Sequence, residues 1–260
     1  MLSTIFVISR SGESAEVVKL LNYLHPMQQL IVFTEEPTSP LARPASKTFL
    51  INAKERSFVN TKSFILSIAY AGAVAAGILN QSFIPLETEL RKASNQIPLL
   101  IRQNEKEAEL IAGKFATAKS LLVVARGSII GIGQQLCLDL QEGLHIPAIP
   151  VSGSLLRHGT IELTTQKDVA SLFIVNNDYA GQLLMTAAKE IAAYNKMVAI
   201  IGPKLVNSTT TSALPIVEIG ELATPIIYTV AAQLIYYKLA LQRGITQIKP
   251  TLVGKVTRTE

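Results

Sequence analysis

Eight short apolar runs rich in valine and isoleucine alternate with segments of helical periodicity along the chain, and this alternation is what most constrains the fold. Runs that are apolar throughout, rather than at every second residue, are typical of parallel strands covered on both faces. Strands that alternate with helices predict an α/β fold with doubly wound parallel sheets flanked by helices. The predicted strands are 4–9, 30–33, 48–51, 121–125, 148–151, 171–175, 198–201 and 216–219, and the predicted helices are 14–24, 61–79, 130–142, 180–193 and 225–241.

The predicted elements fall into two unequal halves. Three strands precede the helix at 61–79, a mostly helical stretch covers 85–118, and five strands follow it. If the halves are related, the first has lost two strands. We therefore expect an incomplete first half with connecting helices over 1–117, a second half over 118–248, and a C-terminal tail over 249–260.

Composition excludes several classes of protein. The 260 residues are 48% apolar, which suffices for a buried core, and a single cysteine rules out a disulfide framework. The net charge is +5, but lysine and arginine are scattered, so we expect a small anionic ligand and no nucleic acid. No apolar run reaches the roughly 18 to 20 residues of a membrane span, and the first residues lack a secretory signal. A cytoplasmic protein without a membrane partner is the expectation.

The turn after the first predicted strand is crowded with hydroxyl groups, because Ser9, Ser11 and Ser14 surround Gly12. A helix start leaves backbone N–H groups unpaired and carries a partial positive charge, so an anion gains hydrogen bonds and dipole attraction there. The turn thus predicts a phosphate site, although helix capping by Ser11 or Ser14 explains the same serines equally well. Neither GxxxxGK[ST] nor GxGxxG is present, which argues against nucleoside triphosphates and dinucleotides.

The S-x-S-G-x-[ST] pattern at residues 9–14 resembles the signature of the sugar isomerase (SIS) family of phosphosugar-binding domains. Asn60-Thr61-Lys62 is similar to the [ST]-T-K stretch that opens a long helix in that family, with Asn60 in place of the usual serine. Residues 124–127, 138–142, 153–159 and 249–257 resemble further family elements in the same order. The resemblance implies that the sugar phosphate is held by Ser9, Arg10, Ser11, Gly12, Ser14, Asn60 and Thr61.

The same resemblance implies an aldose–ketose isomerase or a deaminase that acts on an amino-sugar phosphate through an enediol or enolamine. Such chemistry needs a base, and a carboxylate in a partly desolvated cleft can supply one. Glu142 matches the family's base and shares a helix face with Gln135 and Asp139; without the resemblance, that face would read as merely solvated. His158 matches a ring-opening histidine supplied across a homodimer interface, and Lys255 matches a tail lysine that reaches the sugar. No metal or organic cofactor is implied.

Some positions depart from the family pattern. Asp139 replaces a lysine, Leu155 a glutamate and Thr160 a proline, so specificity is not carried over. The chain also begins after the family's usual first strand and its G-x-G-[ST]-S loop. A non-catalytic phosphosugar sensor is therefore the alternative, and a purely structural dimerisation module is a third reading. His25 and His145 match no family element and are interpreted as structural.

Overall fold

Eight strands form two separate, wholly parallel sheets in the computed structural model of the chain, which confirms the α/β class. The structure describes residues 3–203, 212–248, 250, 252, 254 and 256. The chain divides into two compact units, Met1–Ala75 with Lys249–Glu260, and Ala76–Ile248. The strands are β1 Thr4–Ile8, β2 Gln29–Thr34, β3 Lys47–Leu50, β4 Ser120–Ala125, β5 Ala148–Ser152, β6 Val169–Ile174, β7 Val198–Pro203 and β8 Ser212–Ile216. The helices are α1 Ala15–Lys19, α2 Lys62–Ile78, α3 Ile84–Phe115, α4 Ile130–Leu144, α5 Gly153–Leu156, α6 Tyr179–Ala192 and α7 Thr224–Gln242.

The first unit is a three-stranded sheet in the order β1-β2-β3, covered on both faces. On one face Leu30 and Val32 of β2 pack with Val17 and Leu21 from the segment around α1. On the other face Phe33 packs with apolar side chains of α2, including Leu66. Alternate residues of β2 therefore point to opposite helices, which is the doubly wound arrangement that the sequence predicts.

The second unit is a five-stranded sheet in the order β5-β4-β6-β7-β8. Strands β4, β6 and β7 are buried along almost their whole length, as expected of central strands covered on two faces. Because the second strand of the unit lies outside the first, the order is the flavodoxin-like one, with a switch point between β4 and β6. Ligands of such sheets bind outside the carboxyl ends of the strands at that point.

Helices cover both faces of the second sheet. Helix α4 packs on β4 and β5 and against α7, and α7 packs in turn on the 32-residue helix α3. On the opposite face the buried side of α6, with Leu184 and Ile191, meets Phe173 of β6. Helix α7 is apolar nearly all round, which is why it lies buried among α3, α4 and the sheet.

All eight predicted strands occur, and the largest difference is at β8. The predicted strand 216–219 overlaps the observed one only at Ile216. Pro215 sits inside β8 and has no N–H to donate, but an edge strand tolerates this. The predicted helix 14–24 is α1 followed by a 3₁₀ helix, Leu20–Tyr23, and the helical stretch 85–118 is essentially the single helix α3. The boundary at 117–118 stays a prediction. None of the described helices is long and apolar enough to cross a bilayer.

Candidate functional site

The turn that follows β1 is fixed by its main chain. The Arg10 carbonyl accepts hydrogen bonds from the Glu35 amide at 2.9 Å and from the buried Thr34 hydroxyl at 3.0 Å, and the Gly12 carbonyl accepts from the Leu41 amide. Gly12 has a φ of +63°, and a Cβ there would lie 2.2 Å from the Ser39 hydroxyl oxygen. Only glycine fits this position, for both reasons.

The serines of this turn present hydroxyl groups that are partly exposed. The Ser9 oxygen accepts from the Gly12 amide at 3.2 Å, and the Ser11 oxygen from the Glu13 amide at 3.3 Å. A hydroxyl that accepts in this way still has its own proton to donate to a ligand. Ser14 is the N-cap residue of α1, yet its side chain makes no capping hydrogen bond. Capping therefore does not account for Ser14.

Arg10 lies beside Glu35, with its Nη1 3.9 Å from Glu35 Oε2 and both side chains about one-fifth exposed. The other carboxylate oxygen of Glu35 accepts from the Lys54 amide, in the loop before α2. Glu35 thus contacts both the Ser9–Ser14 turn and the loop that leads to Thr61. The charge of Arg10 remains close enough to the turn to favour an anion there.

The N-terminus of α2 holds a carboxylate of the chain itself. Glu55 Oε2 accepts from the backbone amides of Thr61 at 2.8 Å and Ser63 at 3.1 Å, and the Thr61 hydroxyl donates to Glu55 Oε1 at 3.0 Å. Burial acts to raise the pKa of Glu55, but these hydrogen bonds together outweigh it, so the pKa is lowered and the group is an anion. Asn60 is exposed, and its side-chain oxygen accepts a long hydrogen bond of 3.4 Å from the Ser63 hydroxyl.

In the second unit, Glu142 lies near the end of α4 and is partly buried. Burial raises the pKa of its carboxyl group. The predicted core residues Ile132, Leu136 and Leu140 of the same helix are buried, as expected. The face that carries Glu142 is not solvated either, because it packs against α7.

Asp139, one turn before Glu142, shows most clearly that this face of α4 is not solvated. Its side chain is 2% exposed, and it accepts a hydrogen bond from Gln135 Nε2 at 2.8 Å. A carboxylate at this depth needs such partners, because an unpaired buried charge is strongly unfavourable. The reading of a plain solvated face, which the sequence alone would favour, is therefore wrong.

No hydrogen bond or ion pair among the described residues joins His158 to Glu142. His158 is exposed in the turn after α5, where its amide donates to the Leu155 carbonyl. Lys255 falls outside the described residues. His25 Nδ1 accepts from the Met27 amide, and His145 ends α4 in a left-handed conformation at φ 54°, while the interpretation of both as structural stays a prediction.

A cavity of about 500 Å³ opens at the carboxyl edge of the second sheet, beside the switch point. Asp178, Glu218 and Glu221 line it together with Ser128 and Asn176. Asp178 caps α6, and Glu218 accepts from the Asn177 amide and the Tyr228 hydroxyl. Three carboxylates make this cavity unsuitable for a phosphate.

Sequence reasoning missed two residues of these sites, Glu55 and Tyr236. An acidic residue six positions before Thr61 was a usable signal for Glu55, since carboxylates favour helix N-termini. No comparable signal distinguished Tyr236 from the apolar residues around it on α7. Its hydroxyl nevertheless lies beside the helix turn that carries Glu142.

Comparison with known proteins agrees with this fold. Residues 2–76 match the family model of the SIS domain. The chain is 27% identical over 263 residues to the glutamine–fructose-6-phosphate aminotransferase (isomerizing) of Oceanobacillus iheyensis, an alignment that covers 97% of this chain and 43% of that protein. The C-terminal domain of glucosamine-fructose-6-phosphate aminotransferase from Francisella tularensis superposes with a TM-score of 0.82 at 21% identity, covering 95% of this chain and 72% of that one. Glucosamine-6-phosphate deaminase from Thermotoga maritima gives 0.76 at 19% identity, covering 98% and 75%.

The class of protein to which the fold and the Ser9–Ser14 turn are similar is the SIS domain, whose family model matches residues 2–76 of the chain. Its relatives in sequence include isomerizing glutamine–fructose-6-phosphate aminotransferases, of whose length it spans 43%. The resemblance read from residues 9–14 and 60–62 is thereby confirmed.

Proposed function

We propose that the chain is an aldose–ketose isomerase or deaminase of an amino-sugar phosphate, acting through an enediol or enolamine intermediate. The observation that carries the catalytic part is Glu142, whose carboxyl pKa is raised by burial. The SIS match over residues 2–76 and the names of the relatives, which act on fructose 6-phosphate or glucosamine 6-phosphate, support the substrate class.

The phosphate is assigned to the turn of Ser9, Ser11, Gly12 and Ser14, with Arg10 beside it. Hydroxyl protons that remain available, and a backbone held open by glycine, suit phosphate oxygens. The N-terminus of α2 is a poorer phosphate seat, because Glu55 already accepts from Thr61 and Ser63 and would repel a second anion. Thr61 and Asn60 are therefore assigned to the uncharged part of the sugar.

Glu142 is proposed to remove the proton next to the carbonyl and to return it one carbon away. A general base works best when its pKa lies near the working pH, and partial burial moves a carboxylate in that direction. The step exchanges a proton between carbon and a carboxylate and needs no electron acceptor. The residues assigned here supply it without a cofactor.

His158 and Lys255 keep their proposed roles in ring opening and sugar contact. His158 makes no side-chain hydrogen bond or ion pair within the described chain, and its exposure suits a residue offered to a second copy. An imidazole has one nitrogen that donates and one that accepts a proton, which is what ring opening requires. A homodimer with shared sites is part of this proposal.

The test incubates the protein in D₂O with fructose 6-phosphate or glucosamine 6-phosphate and uses NMR to monitor proton exchange at C1 and C2. A thermal-shift assay measures binding of the same two sugars separately. We expect exchange in the wild type and its loss in Glu142→Gln with binding retained. Glu162→Gln, an exposed carboxylate of the same unit, is the matched control and keeps exchange. Binding without exchange would leave a sensor and refute the isomerase, and no binding of either sugar would refute both.

A further inference from the structure

The hydroxyl group of Tyr236 is buried without a partner. The residue is 7% exposed, and its oxygen has no hydrogen-bond partner within the part of the chain that the structure describes. Buried tyrosine hydroxyls nearly always find one, so an exception calls for a physical explanation. The position of this hydroxyl group indicates which group of the protein it interacts with.

Tyr236 points from α7 at the last turns of α4. A Cβ on Gly143 would lie 1.9 Å from the Tyr236 hydroxyl oxygen and 3.1 Å from Cζ. The hydroxyl therefore occupies the space that any side chain at 143 would need. Gly143 follows Glu142 directly and lies one helical turn after Asp139, so both carboxylates flank the place where the hydroxyl arrives.

Electrostatics agree with that placement. The pKa of Tyr236 is raised, first by burial and then by the negative charges of Asp139 and Glu142. The phenol thus stays protonated at any working pH and can act only as a neutral donor toward these carboxylates. Asp139 already accepts from Gln135, whereas no described residue donates a hydrogen bond to the carboxylate of Glu142, so Glu142 would gain its first donor from Tyr236.

Among the described residues of the elements packed on α4, no other titratable group competes for Glu142. Strands β4 and β5 and residues 127–129, which pack on α4, contain no titratable side chain. The remaining titratable residues of α7 are engaged or exposed: Lys238 pairs with Glu105, Tyr228 donates to Glu218, and Tyr237 is 55% exposed.

We propose that Tyr236 is a positioning residue for Glu142, whose ionised carboxylate accepts a hydrogen bond from the Tyr236 hydroxyl and is held by it beside Gly143. The proposal rests on the proposed function, in which Glu142 is the base. Hydrogen bonds at catalytic groups are often long or misaligned in the unliganded protein and tighten in the complex, which fits a donor that is close but unpaired here. A bond to the charged form favours ionisation and counteracts the effect of burial on the pKa of Glu142.

The test compares Tyr236→Phe, which removes one oxygen, with Tyr237→Phe as the matched control on the exposed side of α7. The first readout is the carboxyl ¹³C shift of Glu142 against pH, assigned by its loss in Glu142→Gln. We expect Tyr236→Phe to move the titration to higher pH by about one unit, since a hydrogen bond to a charged group is of that size, and Tyr237→Phe to leave it unchanged. This readout needs no turnover, so it distinguishes the failure of this proposal from the failure of the proposed function.

The second readout is the pH dependence of kcat/KM for hexose-phosphate isomerisation. In Tyr236→Phe the midpoint of the acid limb should move to higher pH by the same interval. At pH values below the midpoint kcat/KM should then fall about tenfold, and at pH values well above it kcat/KM should equal that of the wild type. A purely structural role would lower the rate equally at every pH. Gly143→Ala, which displaces the hydroxyl from the opposite side, should shift the titration in the same direction. An unshifted Glu142 in both variants would overturn the proposal.

Discussion

Removing the Glu55 carboxylate should loosen the first turn of α2 and little else. Glu55 accepts from two backbone amides, those of Thr61 and Ser63, and from the Thr61 hydroxyl. Each hydrogen bond to a charged group is worth about 1.5 to 3 kcal/mol, but the site is partly exposed and water replaces part of the loss. Helix N-cap substitutions cost about 0.5 to 2 kcal/mol. We therefore expect Glu55→Ala to lower the free energy of local opening of this turn by about 2 kcal/mol. Glu55→Gln should lower it by about 1 kcal/mol, because the amide oxygen of glutamine still accepts hydrogen bonds.

Native-state hydrogen exchange measures this directly, because it reports the free energy of local opening. A loss of 2 kcal/mol corresponds to about thirtyfold faster exchange of the amides at the start of α2. Since the folded pKa of Glu55 is lowered, its contribution is present above the unfolded pKa of about 4.3 and is lost as the pH falls through the folded value. The difference between wild type and Glu55→Gln should thus be seen near neutral pH and vanish in strong acid. The control is Glu36→Gln, a carboxylate of the same unit that accepts, among the described residues, only from Thr38. Equal exchange in wild type and Glu55→Ala would refute the capping role.

Three further outcomes follow from local packing. Gly12→Ala places a Cβ at φ +63° and 2.2 Å from the Ser39 hydroxyl oxygen, and should cost about 2 to 4 kcal/mol in urea unfolding and abolish phosphosugar binding. Ser171→Ala removes a fully buried hydroxyl that has no partner among the described residues, and should raise the unfolding free energy by about 1 kcal/mol rather than lower it. Burial raises the pKa of Cys137 to about 12, so a thiol reagent at neutral pH should label it only at the rate of unfolding, and fast labelling of the native protein would contradict its burial.

The sheets could be predicted because each strand can be recognised from its own residues. Strands β4, β6 and β7 are continuous apolar runs that fit a parallel strand and nothing else of that length. Strand β8 was displaced because Pro215 interrupts the run, and an edge position that tolerates proline is known only from the topology. The pairing order has no local signal in the sequence at all.

The candidate site likewise has a part that the sequence predicted and a part that it did not. The Ser9–Ser14 turn could be predicted because a glycine among serines is a local pattern that the resemblance made specific. Tyr236 lies on another helix from Gly143, and its neighbours are defined only by packing. Glu55 acts on Thr61 and Ser63, close to it along the chain, but that local signal was not used. Without the family resemblance the polar face of Asp139 would be interpreted as solvated, whereas Asp139 is buried and α4 packs against α7.

The position of Asp139 bears on the role that we propose for Glu142 as the base. Where the SIS family pattern has a lysine, this chain buries a carboxylate one turn before Glu142. A lysine there would favour the ionised base by its charge, and an aspartate removes that contribution. The hydroxyl of Tyr236 is a neutral donor on the facing helix, and Gly143 has no side chain to keep it away. A neutral donor stabilises a carboxylate without attracting a second anion. Under the proposed function we therefore expect a substrate whose reacting end is uncharged or cationic, such as an amine at C2, to be preferred over an anionic one.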